Sequence, residues 1–107
     1  MTKFKTLLTG VLLATSAATT AMAAPTAEAL AQKSNCLMCH GVDKKILGPA
    51  YKDVAAKYKG DKSAEAKLIQ KVKAGGSGTW GDMPMPPNSP QVKDEDIKTL
   101  VQWILSL

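Results

Sequence analysis

The stretch NCLMCHG, residues 35–41, contains both cysteines of the chain and its single histidine. Cys36, Cys39 and His40 form a C-x-x-C-H arrangement, and four chemistries draw on residues of this kind. A disulfide between Cys36 and Cys39 would close a very short loop and add little stability, because the gain grows with the length of chain enclosed. A thioredoxin-like redox pair requires a βαβ setting, and no strand pair reads from this sequence. A structural zinc site requires four ligands, whereas Cys and His together supply three. Covalent haem attachment gives every residue a task. On a helical turn Cys36 and Cys39 share one face and reach the two vinyl groups of one porphyrin as thioethers. His40, next in line, turns its imidazole toward the iron.

The chain has 107 residues, the scale of one small domain. Residues 1–23 have the three-part layout of a secretory signal peptide. Lys3 and Lys5 open it, a short apolar run follows around Leu7 to Ala14, and Ala21-Met22-Ala23 closes it. Cleavage is expected after Ala23, because a cut one residue later would place Pro25 directly after it. Thr9, Gly10, Thr15 and Ser16 interrupt the apolar run, which is too short for a bilayer span of about 20 apolar residues. Residues 24–107 then form a single exported domain, expected in the periplasm without a membrane span. Export suits haem attachment, since c-type haem is joined to protein outside the cytoplasm.

The only Phe, Phe4, belongs to the leader, which leaves Tyr51, Tyr58, Trp80 and Trp103 as the aromatics of the domain. Domains this small are marginal without a disulfide, a metal or another staple. A haem would supply the missing apolar core. The formal net charge is +5, and every basic residue is a lysine. Lysine-only charge without aromatic interleaving gives little footing for nucleic acid and suits long-range attraction to an acidic protein surface. Lys33, Lys44, Lys45 and Lys52 are close enough to the motif to ring an exposed haem edge.

Four helical segments are legible. The first runs from about Thr26, as N-cap, into the cysteine motif, with Ala27, Leu30 and Ala31 on one face. The second follows Pro49, which suits a first helical turn; Val54, Ala55 and Tyr58 come at helical spacing, and Gly60 stops it. The third spans about residues 63–73, with Leu68, Ile69 and Val72 apolar and Gly75 and Gly76 at its end. The fourth opens on Asp94, Glu95 and Asp96, which favour a helix N-terminus. Ile97, Leu100, Val101 and Ile104 then form a continuous stripe with Trp103 beside it. Residues 75–90, GGSGTWGDMPMPPNSP, are too rich in Gly and Pro for a helix or a central strand. The fold class is therefore all-α with long loops.

With one histidine, the second axial face of the iron must take another residue type or stay open. Met38 lies inside the attachment turn, whereas Met83 and Met85 lie in the Pro-rich loop. A Met there is often core filling, but Pro84, Pro86 and Pro87 stiffen the backbone around Met85, which would hold a weak sulfur ligand at fixed reach. A lysine is the competing ligand. His/Met ligation raises the reduction potential.

Together, CLMCHG, LGPAYKDVAAKY, GTWGDMPMPPN and DEDIKTLVQWILS resemble the small bacterial class I c-type cytochromes of the c-551/c-552 (cytochrome c8) group. The resemblance covers nearly all of residues 24–107. It implies a class I cytochrome c fold, with four to five short helices wrapped around one covalent haem c. It implies that Cys36 and Cys39 carry the haem and that His40 and Met85 are the axial iron ligands. It further implies that the Pro49 carbonyl accepts a hydrogen bond from His40, that Asn88 orients the Met85 sulfur, and that the Trp80 indole donates to a haem propionate. Lys71 takes the position of a second propionate partner, where relatives often carry Arg with its planar fork. In this family the first and last helices cross, and Ala31 is small enough to allow it against Leu100 or Trp103.

The expected function is that of a soluble periplasmic electron carrier, not an enzyme, cycling one haem between Fe(II) and Fe(III). Partners implied by the resemblance are a membrane cytochrome complex upstream and a nitrite reductase, terminal oxidase or cytochrome peroxidase downstream, with the carrier as a monomer. The competing classes are an enzyme or gas sensor with an open sixth site, which carbon monoxide or cyanide would reveal, and a haem subunit of a larger complex.

Overall fold

Thr26 fixes where the first helix begins. Its side chain accepts a hydrogen bond from the Ala29 N–H at 3.1 Å, meeting one of the amide donors that every helix leaves unpaired at its start, a cap worth about 1 kcal/mol. The computed structural model describes residues 9–18 and 26–107. The expected cleavage point after Ala23 lies outside the described residues, and residues 9–18 are exposed without helix or strand.

Helix α1 (Ala27–Lys33) does not continue into the cysteine motif as the sequence suggests. Asn35 adopts the left-handed conformation, with φ 61°, a region that Asn tolerates better than most residues. The chain then re-enters a separate 3₁₀ turn, Cys36–Met38. Helix α2 (Tyr51–Lys57) starts later than expected: Ala50 is its N-cap, and Pro49 stands before the helix rather than in its first turn. Helix α3 (Ala64–Ala74) ends at Gly75, φ 71°, and helix α4 (Asp94–Leu105) closes the chain.

Helix α4 touches each of the other three helices. All four members of its stripe, Ile97, Leu100, Val101 and Ile104, are buried, and Ile97 and Val101 are the largest fully buried side chains. Ala31 is the buried residue of α1, where a small side chain lets that helix lie on α4. Tyr51, Val54 and Ile104 form a second cluster, with Cys36, Leu68 and Trp103 packed against it. The core therefore reaches the cysteine turn from α2 and α4. Between α3 and α4, Lys73 and Asp94 form an ion pair at 3.1 Å, too exposed to add much stability.

Residues 75–90 contain an element absent from the sequence reading. Strands β1 (Gly76–Gly78) and β2 (Gly81–Met85) pair antiparallel, with Gly76 opposite Met85 and Gly78 opposite Gly81. The exclusion of a central strand still holds, because both strands of a two-stranded ribbon are edges, where the missing N–H of Pro84 can be accommodated. Gly76, Gly78 and Gly81 all have positive φ, which supplies the ribbon with a turn that ordinary propensity conceals. Among the described residues no helix is long and apolar enough to cross a membrane.

Candidate functional site

The cysteine turn is closed by its own backbone. The Cys39 and His40 amides donate to the Cys36 carbonyl at 3.2 and 3.0 Å. The Leu47 and Gly48 amides donate to the Cys39 carbonyl at 3.1 and 2.7 Å, and the Tyr51 amide donates to the Gly41 carbonyl at 2.9 Å. Residues 41–50 thus fold back over the turn and carry Gly48, Pro49 and Tyr51 to His40.

His40 is fixed from three sides. Its Nδ1 lies 2.8 Å from the Pro49 carbonyl oxygen. Because a carbonyl can only accept, Nδ1 carries the hydrogen and the Nε2 lone pair is left for a metal. Pro49 can serve because it stands outside α2. The Tyr51 ring stacks on the imidazole at 4.9 Å between centroids and 19° between planes. Trp103 meets Tyr51 edge-on at 5.6 Å, linking the imidazole to α4. Gly48 closes the ring edge: a Cβ there would lie 2.8 Å from Nδ1, 3.0 Å from Nε2 and closer still to Cε1.

Both cysteines are free thiols, half buried. In the covalent reading their sulfurs stand for thioethers. Burial pushes the Cys36 thiol above its ordinary value, the opposite of the lowered value that makes a redox-active pair reactive. Burial likewise pushes the Tyr51 hydroxyl up, so Tyr51 stays neutral beside the thiol. Among the described residues no three His, Cys, Asp or Glu side chains gather to hold a metal ion.

The turn forms one wall of a cleft of about 400 Å³. Cys36, Cys39 and His40 line it together with Met83 and Met85 of β2, while Leu68, Leu100 and Ile104 contribute apolar wall. Met83 is 62% exposed and Met85 is half buried, so Met85 is the better enclosed sulfur. The chain bearing Met85 is anchored to the end of α3. The Asn88 amide N–H donates to the Val72 carbonyl at 3.1 Å and the Ser89 N–H to the Lys73 carbonyl at 3.3 Å, satisfying acceptors that a helix end leaves open. Gly75 allows the close approach, since a Cβ there would strike the Met85 carbonyl oxygen and stand 2.8 Å from the Pro87 nitrogen.

The Asn88 side chain is not directed at the Met85 sulfur: Nδ2 donates to the carbonyls of Val72 at 3.0 Å and Pro86 at 3.3 Å. Those two bonds use both hydrogens of the amide, so none is left for sulfur. Trp80 and Lys71 both line the cleft. Trp80 is 43% exposed, and the Lys71 ammonium approaches Gly76 at the start of the ribbon. Of the lysines expected around the motif, Lys45 lines the cleft, and Lys52 is ion-paired with Asp43. Lys67 also lines the cleft. It went unnoticed in the sequence, although its spacing of four from Lys71 puts both on one face of α3. Gly48 and Tyr51 were missed as well. The only signal for them was their place beside Pro49.

Two thiols, an imidazole with a free Nε2 and two thioethers facing one apolar cleft define the class of protein. A protein-family model described as cytochrome c matches residues 24–107, and the chain belongs to the cytochrome c family as a small class I c-type cytochrome. Among curated relatives it is 62% identical over 78 residues to cytochrome c-551 of Allochromatium vinosum, covering 73% of this chain and 82% of that one. It is 51% identical over 79 residues to cytochrome c-551 of Pseudomonas aeruginosa, covering 74% of each. Among solved structures, wild-type cytochrome c552 of Nitrosomonas europaea superposes with a TM-score of 0.70 at 52% identity, covering 73% of this chain and 95% of that one. Members of the family bind haem c covalently and are electron carriers rather than enzymes. The cleft fits such a group in apolar character and in donor set.

Proposed function

We propose that this chain is a soluble periplasmic electron carrier in which Cys36 and Cys39 hold one haem c as thioethers and His40 and Met85 are its axial ligands. The observation that carries this reading is the convergence of those four residues on one apolar cleft, with Nδ1 of His40 committed to Pro49 and Nε2 left over. Bound there, the iron supplies a one-electron couple between Fe(II) and Fe(III).

The residues do the rest. Pro49 sets the imidazole tautomer and, by drawing on the Nδ1 hydrogen, raises the basicity of Nε2. Tyr51 and Gly48 hold the ring so that its orientation is the same in both oxidation states. Asn88 acts on Met85 indirectly, by fastening the Pro-rich segment to the end of α3. Trp80 and Lys71, at the cleft wall, are the candidates to receive the propionates. Lys45, Lys67 and Lys71 give the mouth a positive field that suits an acidic redox partner, such as a membrane cytochrome complex, a nitrite reductase, a terminal oxidase or a cytochrome peroxidase. Residues 1–23 are read as a leader removed on export, leaving 24–107 as a monomeric domain.

The test is mass spectrometry of the exported protein under denaturing conditions, followed by addition of carbon monoxide to the reduced protein. A haem mass retained through denaturation, lost on replacing Cys36 and Cys39, and a native protein indifferent to carbon monoxide are expected. Rapid, tight carbon monoxide binding would mean an open sixth site and would overturn the carrier reading.

A further inference from the structure

We propose that Lys57 is a positioning residue that clamps the tip of the β-ribbon across the mouth of the cleft by holding Trp80. The inference rests on the haem reading of that cleft.

Lys57 occupies the last turn of α2, and its ammonium stands 5.5 Å from the centre of the Trp80 ring. It also lies 6.0 Å from the centre of the Tyr58 ring. Both distances fall within the reach of a cation–π attraction, and Trp is the ring that attracts a cation most strongly. Lys57 makes no ion pair among the described residues, so its charge is not drawn elsewhere. Trp80 and Tyr58 both line the cleft. One ammonium therefore joins two walls that are far apart in sequence.

The tip needs such a tie. Trp80 lies between Gly78 and Gly81, with φ 109° and 110°. At neither glycine would a Cβ meet another atom within 4 Å, so the backbone of the tip has open space around it. The ribbon is exposed along most of its length. Its base is braced by the Asn88 anchor at the end of α3. The Trp80 side chain is what carries the tip toward α2. A ribbon of two short, glycine-rich strands is marginal by itself, so releasing Trp80 would open the mouth and admit water. Water in the cleft, and loss of a cation beside it, both favour the more positively charged ferric state and lower the reduction potential.

The experiment uses the haem-loaded protein. The Trp80 and Trp103 indole N–H resonances are assigned by NMR, their solvent exchange is measured, and the midpoint potential is recorded for wild type, Lys57→Met and Lys57→Arg. Lys57→Met is expected to shift the Trp80 indole signal, speed its exchange several-fold and lower the potential, leaving Trp103 unchanged. Lys57→Arg, which keeps a cation able to stack on the ring, is expected to restore all three. A lowered potential with an undisturbed Trp80 signal would reduce Lys57 to a distant charge and overturn the clamp. So would no change in either readout, or failure of Arg to restore them. If wild type shows no bound haem, the underlying reading fails instead, which the absorption spectrum distinguishes at the outset.

Discussion

Gly48→Ala is a one-methyl probe of how the histidine is held. Gly48 is not among the glycines with positive φ, so alanine brings no backbone strain and the substitution tests the contact alone. The added Cβ would stand 2.8 Å from His40 Nδ1 and 3.0 Å from Nε2, and nearer to Cε1. An unstrained contact of this kind needs about 3.5–4.0 Å, so the ring must retreat by about 1 Å. It cannot do so freely, because Tyr51 is stacked on its face. A retreat of that size would lengthen the 2.8 Å hydrogen bond to Pro49 beyond bonding range. Overpacking costs about 1–3 kcal/mol, and the lost hydrogen bond about 1 kcal/mol more. The sum, about 2–4 kcal/mol, corresponds to a fall in Tm of roughly 10–30 °C for a domain of this size. Thermal unfolding followed by circular dichroism measures it. An unchanged Tm, with the His40 ring resonances where they were, would refute the claim that Gly48 is the wall behind the imidazole.

Three further outcomes follow from the same structure. Ile97 is fully buried in α4, and Ile97→Ala is expected to cost about 2–5 kcal/mol in urea unfolding; a loss below 1 kcal/mol would mean that α4 is not the packing centre. The Ser63 hydroxyl and amide hold the Asp61 carboxyl below the usual carboxylate range. The stability this contributes is present above the unfolded pKa and is lost as pH falls through the lower folded value. Ser63→Ala should raise the Asp61 pKa toward the ordinary value in an NMR titration. Electron transfer to an acidic partner should slow as salt rises, and a salt-independent rate would remove the lysines at the mouth from the docking account.

The helices were legible because their signals are local. Thr26 marks the start of α1, Gly75 the end of α3, and the Ile97, Leu100, Val101, Ile104 stripe identifies α4. The C-x-x-C-H spacing was also legible, since a single turn holds all of its reactive groups. The β-ribbon was not, because its glycines read as loop and the segment that follows it is anchored to α3 by long-range bonds from Asn88 and Ser89. Asn35 looked like a helical residue because the break depends on one left-handed φ. Asn88 was placed on the Met85 sulfur, but the open carbonyl of Val72 at the end of α3 is the stronger claim on its amide. Gly48 and Lys57 act through contacts that no spacing announces: one through the absence of a side chain, the other across 23 residues to Trp80.

Met85 and His40 are proposed to close both faces of one covalently held iron. The most direct measurement is the absorption spectrum of the exported protein, oxidised and then reduced, beside Met85→Ala and Met83→Leu. Sharp reduced bands of low-spin c-type haem and a weak far-red band from sulfur bound to ferric iron are expected, with the far-red band lost in Met85→Ala and kept in Met83→Leu. A high-spin native spectrum without the sulfur band, or a sulfur band that survives Met85→Ala, would contradict that ligation.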